Sequence, residues 1–522
     1  MTTLTRRLAA TSVLLRSNFV PFERPDRVWR AMAATLPWGL GTAGAVAAAC
    51  ARYPGTNAVI DDEGALTYGE LWRRSDGIAH RLIELGARRG TAVGLLCRNH
   101  RGFVEAIVAV AKTEADLVLM NTGFAPPQLA DVAANEGVSV LVHDDDLADV
   151  AAGATGITLV GDSEREAAAA SGHKAPPTRH QGRTVILTSG TTGRPKGAAR
   201  RPDASAIEGV SAVIERIPLR ALDSVVVAAP MFHAWGLTHL LMGIGRNATI
   251  VVAQKFDPRR TLELVDRHRA RVLAVVPVML QRMLALPPEE LVRFDTSSLR
   301  VVAVSGSALG GRLATEVLNR FGPVLYNTYG STEVAVATIA TPDDLHRHPT
   351  TVGRPAVGVR VEILDADGEP VAQGVSGRVF VGGAARFDGY TSGGGKEIQR
   401  GLLSSGDMGH FDPRGRLYID GRDDDMIVSG GENVYPAEVE ELLSHHPDVA
   451  EVAVIGVPDD EFGQALAAFV VRRDGHELDT ESVKQHVRTH LARYKVPRQV
   501  TFLDELPRNP TGKVLKRALR EL

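Results

Sequence analysis

The chain has 522 residues, more than one hydrophobic core usually supports, so at least two domains are expected. A hydrophobic content of 44% against 23% charged residues excludes a chain dominated by disorder, and a formal net charge of −3 provides no general field for nucleic acid. Cys50 and Cys97 are the only cysteines, too few for a disulfide framework, which points to a reducing, cytoplasmic setting.

At the N-terminus, Arg6 and Arg7 precede a short apolar run that Arg16 interrupts, and no small-residue cleavage site follows. The stretch from Trp38 to Ala51 is apolar but built of Ala and Gly, and it is shorter than the roughly 20 residues a spanning helix needs. Both read as helices of a soluble or surface kind rather than spanning ones, with a weak peripheral membrane contact by the first as one option. Residues 1–45 are thus expected to form a helical extension.

From Thr67 onward strand-like and helical patterns alternate. Thr67 and Glu70 have capping-box spacing, and Leu71, Ile78, Leu82 and Leu85 follow at helical intervals. Buried-strand runs recur in TAVGLLC, VSVLVHD, TVILTSG, DSVVVAAP, ATIVVA, RVLAVVP and LRVVAVSG, mostly spaced widely enough for crossover helices. This is α/β texture with mostly parallel sheets. After Gly353 the strands shorten and turn signals multiply, which predicts a β-rich subdomain over 353–421 of a large domain spanning 46–421. A joint at 422–425, within GRDDDMI, leads to a small α+β domain over 426–522, with helices in YPAEVEELLSHHP and ESVKQHVRTHLARY and strands in VAEVAVIGVPD and ALAAFVVRRD.

The segment TSGTTGRPKG, Thr188 to Gly197, carries the strongest chemical signal. Its glycines allow tight turns, its hydroxyls can donate to phosphate oxygens, and Lys196 adds positive charge, so it suits a polyphosphate. The order differs from a Walker A loop, because the lysine precedes Gly197 and is followed by Ala198. Further on, Glu333 in YGSTE is a hard oxygen donor and Asp407 in SGD a carboxylate with two acceptor oxygens, and neither names a ligand when taken alone. Lys513 in NPTGK is a cation on a Pro/Gly-shaped loop, able to reach into a cleft.

Taken in order, TSGTTGRPKG, YGSTE, SGD, GRDDDMIVSGGENVYPAEVE and PRNPTGKVLK resemble the signatures of the adenylate-forming superfamily of acyl-CoA synthetases, luciferases and adenylation domains. The resemblance runs from about Leu66 to the C-terminus. It implies that Thr188, Ser189, Gly190, Thr191, Thr192, Gly193 and Lys196 hold the phosphates of ATP, that Ser307, Ala308, Asn327 and Tyr329 surround the adenine, and that Gly330 and Ser331 also bind the nucleotide. Asp407 and Arg422 would hold the ribose, Glu333 the Mg²⁺, and Thr332 the α-phosphate. His233 in APMFHAWGL would orient the acid, Lys513 would serve adenylation, Asp424 would be the hinge, and Gly430 and Gly431 would line the thiol channel. The chain departs from the commoner family pattern at Leu403 and Ser404, where relatives carry an aromatic residue.

The implied activity is ATP-dependent conversion of a small carboxylic acid to acyl-AMP and then to acyl-CoA. The wording of the motifs is most like bacterial fatty-acid–CoA ligases, so a medium- or long-chain fatty acid is the expected substrate. A ligase that loads an acyl carrier protein and an aryl-CoA ligase are the alternatives. A luciferase-like oxygenase lacks an identifying motif, and a non-catalytic nucleotide-binding scaffold would be expected to lose Glu333, Asp407 or Lys513.

Overall fold

The computed structural model describes residues 24–178, 180–189, 195–200, 205–383, 387, 389–425, 427–429, 432–459, 463–491, 493–510 and 512–522. The helix expected within 1–23 lies outside them.

Two largely parallel sheets form the large body. One has nine strands, in the spatial order Arg354–Pro355, Ala335–Ala340, Leu325–Ser331, Val301–Val304, Val272–Val275, Ser224–Val227, Thr249–Val251, Asn57–Asp61 and Gly64–Thr67. Its central pairs are parallel and its edges turn antiparallel. Val225, Val227, Val272, Val301 and Ala303 are wholly buried, which is why these strands read as unbroken apolar runs. The second sheet has six strands, in the order Thr158–Val160, Val138–His143, Ala92–Leu96, Asp116–Leu119, Thr184–Ser189 and Pro195–Arg200. Only its last pair is antiparallel.

The helix Tyr68–Glu84 begins with the expected capping box: Thr67 Oγ1 accepts from the Glu70 N–H at 3.2 Å, and the Glu70 carboxylate accepts from the Thr67 N–H at 2.8 Å. Of the two readings open for the apolar run near Trp38, the structure takes the helix inside the large body rather than on its surface. The helix Thr42–Arg52 crosses the expected boundary after residue 45 and buries Ala43, Val46 and Ala49 in the main core. Its small residues permit close packing, since a Cβ on Gly44 would lie 2.0 Å from the Gly39 carbonyl. Among the described residues no helix is long and apolar enough to cross a membrane.

The two sheets are joined by Asn99. Its amide Nδ2 donates to the carbonyls of Val227 and Ala229 at 3.3 and 2.9 Å, and its Oδ1 accepts from the Met231 N–H at 2.8 Å.

A five-stranded antiparallel sheet follows, built of Arg360–Leu364, Gly377–Gly382, Ile398–Gln399, Leu402–Phe411 and Leu417–Arg422. The small body pairs Val449–Asp459 with Gly463–Arg472 and covers the sheet with the helices Pro436–Ser444 and Thr480–His490. Val439, Leu443, Val454, Val483 and Val487 form its core. The second helix stops at His490, short of the expected Tyr494.

Candidate active site

A cleft of about 2770 Å³ runs between the two bodies, several times the volume that one drug-sized ligand occupies. Thr188, Lys196, His233, Ser307, Ala308, Asn327, Tyr329, Gly330, Ser331, Thr332, Glu333, Asp407, Arg422 and Lys513 all line it. The sequence separates these residues by hundreds of positions, and the fold returns them to one surface.

The strands Thr184–Ser189 and Pro195–Arg200 form a hairpin in which Thr188 faces Lys196, and Thr188 Oγ1 donates to the Lys196 carbonyl at 3.2 Å. Ser189 ends the first strand. Gly190, Thr191, Thr192 and Gly193 lie outside the described residues. The Lys196 ammonium stands 5.4 Å from the centroid of the Tyr390 ring.

Opposite this hairpin, the strand Leu325–Ser331 turns back into Ala335–Ala340. Gly330 makes the turn possible, since a Cβ there would lie 1.8 Å from the Ala335 carbonyl. Within the turn, Ser331 Oγ donates to Glu333 Oε2 at 2.9 Å while accepting from the Glu333 and Val334 N–H groups at 3.2 and 3.3 Å. The Tyr390 hydroxyl donates to Glu333 Oε1 at 2.9 Å, and Arg200 donates to the Thr332 carbonyl at 2.5 Å. Each Glu333 oxygen keeps further acceptor capacity, so this buried, fixed carboxylate is a fitting hard-cation ligand. Tyr390 and Arg200 carry no local sequence signal. Tyr390 reaches the site through a bridge between its backbone and Ala198.

Asp407 lies on Leu402–Phe411, paired in register with Arg422 on Leu417–Arg422. Its Oδ2 accepts from the Tyr329 hydroxyl at 2.5 Å, and its Oδ1 lies 3.3 Å from Arg422 Nη1. Burial pushes the Asp407 carboxyl above its ordinary range, against the pull of Tyr329 and Arg422. The Tyr329 phenol is pushed well up, by burial first and by Asp407 second. Tyr329, expected beside the adenine, commits its hydroxyl to the Asp407 carboxylate. Behind Asp407, Ser405 donates to the Val379 carbonyl and accepts from the Asp407 N–H, both at 3.1 Å. Ser305 donates to the Thr328 carbonyl at 2.7 Å, tying the segment that carries Ser307 and Ala308 to the strand that carries Asn327.

His233 precedes the helix Ala234–Gly245, its ring 4.4 Å from that of Phe232. Its Nε2 is buried and has no hydrogen-bond partner among the described residues. Burial, reinforced by the Lys513 charge, pushes its pKa down to about 3, so the ring is neutral and can receive a ligand group.

Lys513 comes from the small body on a closed loop. Its N–H donates to Asn509 Oδ1 at 2.9 Å, its carbonyl accepts from the Asn509 N–H at 2.9 Å, and Arg508 donates to the Gly512 carbonyl at 2.7 Å. Gly512 adopts φ +82° and seats the loop on the large body, where a Cβ would stand 2.3 Å from Val278 Cγ1. The lysine keeps contact with solvent, yet the cleft walls strip enough hydration to lower its pKa, with Arg422 adding to the effect and Asp407 and Glu333 opposing it.

The joint is a short 3₁₀ turn, Asp423–Asp425, which includes the Asp424 backbone, and Lys516 pairs with Asp425 at 2.8 Å. Gly430 and Gly431 lie outside the described residues. Cys97, His100 and Asp144 cluster away from the cleft, but His100 accepts from the Gly102 N–H through Nδ1 and bonds Asp144 through Nε2, so both ring nitrogens are used in holding the fold.

Residues 46–391 match the AMP-binding enzyme family, and residues 438–513 match the AMP-binding enzyme C-terminal domain. The chain is 35% identical over 490 residues to the indoleacetate–CoA ligase of Aromatoleum aromaticum, covering 90% of this chain and 95% of that one. It is 35% identical over 475 residues to a feruloyl-CoA synthase of Amycolatopsis, covering 90% and 96%. Among solved structures it resembles ATP-bound MatB from Rhodopseudomonas palustris, with a TM-score of 0.82 and 29% identity over 92% of this chain and 98% of that one. With both sequence and architecture shared along most of its length, the chain belongs to the AMP-binding enzyme family, within the adenylate-forming superfamily.

Proposed function

We propose that the protein is an AMP-forming acid–CoA ligase whose substrate is an aromatic or arylalkanoic acid. One observation carries the reading: Lys513 of the small body meets His233, Glu333 and Asp407 of the large body on a single cleft.

Adenylation brings a carboxylate against the α-phosphate of ATP, so two anions must approach each other. Asp407 accepts from the ribose hydroxyls, and Tyr329 and Arg422 fix its carboxylate. The acid's carboxylate lies beside the neutral His233, Thr332 donates to the α-phosphate, and Lys513 offsets charge as a carboxylate oxygen bonds to phosphorus and the bond to pyrophosphate breaks. Lys196 and the Thr188 hairpin hold the departing phosphates. Glu333 would hold Mg²⁺, which when bound supplies further neutralisation of phosphate charge. In the second half-reaction the coenzyme A sulfur bonds to the acyl carbon, the thiol proton is lost and AMP leaves. For this step the small body turns about Asp424 and presents the face that carries Gly430 and Gly431.

The acid's wall is mostly apolar, formed by Leu241 and Met242 of the helix Ala234–Gly245 together with Val334 and Val336, and by Thr238, whose hydroxyl donates to the Ala234 carbonyl at 2.7 Å. Such a surface suits a ring or an alkyl chain and offers nothing to an amino or second acid group. Similarity to ligases for indoleacetate and ferulate supports the aromatic alternative over the medium- or long-chain fatty acid that the motif wording suggested.

The test is coenzyme A consumption and AMP release by purified protein with ATP and Mg²⁺, across arylalkanoic, cinnamic-type and graded aliphatic acids. Higher kcat/KM for the aromatic acids is expected. A preference for aliphatic chains would reverse the substrate assignment, and absence of acid-dependent pyrophosphate release with every acid would refute the reaction.

A further inference from the structure

The helix Gly311–Phe321 begins directly after the segment that carries Ser307 and Ala308, and it has no cap of its own. Its N-cap is Gly310, which lacks a side chain to accept from the first-turn N–H groups. The acceptor comes from the other body. Glu441, on the helix Pro436–Ser444, places its Oε1 and Oε2 at 3.0 and 3.4 Å from the Gly311 nitrogen, whose N–H it accepts. A glycine permits this approach, because a Cβ on residue 311 would stand 2.8 Å from Glu441 Oε1 and 3.0 Å from Thr350 Cγ2. Beside it, the Ala450 carbonyl of the small body accepts from Gln281 at 3.3 Å and from Arg312 at 3.4 Å.

We infer that Glu441 is a positioning residue: by capping the helix behind the adenine-facing segment, it holds the small body in the orientation that delivers Lys513, and so favours adenylation over thioester formation. The inference rests on the two-orientation reading proposed above. A carboxylate at a helix N-terminus satisfies an otherwise open N–H and meets the positive end of the helix dipole. Once the small body turns away, both gains are lost. An interaction present in one orientation alone shifts the balance between the two by its own worth. Glu441 touches no expected substrate atom and acts through the placement of Lys513. The contact also links nucleotide and domain position, since Ser307, Ala308 and Leu309 on the cleft wall lead straight into the capped turn.

The test uses the full chain with Glu441→Ala, Glu441→Gln, Gly311→Ala and the double variant Glu441→Ala/Gly311→Ala. Gly311→Ala reaches the same contact from the opposite side while leaving the carboxylate in place. Loss of a cap predicts about a fivefold fall in kcat for acid-dependent exchange of pyrophosphate into ATP, with KM for ATP little changed. Thioester formation from supplied acyl-adenylate should hold or rise, Glu441→Gln should recover part of the loss, and the double variant should be no worse than either single one. Hydrogen exchange at the Gly311 amide should quicken in Glu441→Ala. Equal losses in both half-reactions, additive losses in the double variant, or unchanged exchange at that amide would overturn the assignment. The amide measurement needs no acid substrate, so it judges the contact even if the wild-type chain activates none of the acids tried and the proposed reaction fails.

Discussion

Replacing Lys513 by methionine removes a charge while retaining most of the side chain's length. The loop that carries it is closed by bonds that do not involve the ammonium: Asn509 holds the Lys513 backbone at both ends and Arg508 holds the Gly512 carbonyl. Gly512 remains seated against Val278. The loss should therefore be electrostatic. A single preorganised donor at developing negative charge is worth about 3 kcal/mol, so adenylation should slow by about 10²- to 10³-fold. Thioester formation from supplied acyl-adenylate should stay within about twofold, because the proposed second orientation withdraws the lysine. A second readout is built into the site. Lys513 is the lesser of two causes that depress His233, so in the variant the His233 pKa should rise from about 3 yet remain below 6.5, because burial persists. Pyrophosphate exchange and single-turnover thioester formation measure the first effect, and imidazole NMR titration the second. Equal slowing of both half-reactions, or an unmoved His233 titration, would refute the reasoning.

Removing the Tyr390 hydroxyl with Tyr390→Phe frees one Glu333 oxygen from its donor, and loss of one such bond should lower adenylation about fivefold and raise the Mg²⁺ concentration for half-maximal rate. A metal titration of pyrophosphate exchange checks it. Gly512→Ala forces a Cβ into Val278 at a φ of +82°, so adenylation should fall and backbone strain should cost about 1–2 kcal/mol of stability, and Val278→Ala should restore part of the rate. The pH profile of kcat/KM for ATP should have an acid limb above 3.8, where the raised Asp407 carboxylate protonates and loses the ribose, and an alkaline limb below 10.5, where Lys513 discharges. Limbs at the unshifted values would contradict the site's electrostatics. Because His233 stays neutral in the fold down to about 3, the unfolded chain binds its proton first below pH 6.5, and stability should fall as pH drops from 6.5 toward 3. His233→Asn should flatten that slope by up to about 1.4 kcal/mol per pH unit in urea titrations.

The parallel strands were legible because burial on both faces leaves unbroken Val, Leu and Ala runs, as in Val272–Val275 and Val301–Val304. The start of Tyr68–Glu84 was legible because a capping box is a local signal. The motif residues Thr188, Glu333, Asp407 and Lys513 line one cleft. What escaped depends on distant pairing. Tyr390 sits in a glycine-rich stretch and acquires its partner from a strand near residue 198. Glu441 is one acid among several on an amphipathic helix until the two bodies meet. The burial of the helix Thr42–Arg52 was not legible because Ala and Gly are weakly apolar, so their deep burial reflects close approach more than hydrophobicity.

Asn99 gives the proposed acid pocket an anchor outside itself. Its three hydrogen bonds fall on the segment 227–231, directly before His233, and they cross from one sheet to the other. A slip between the sheets would thus reach the imidazole through a few backbone atoms. On the proposed placement of the acid beside His233, warming that loosens this seam should blur substrate choice before the protein melts.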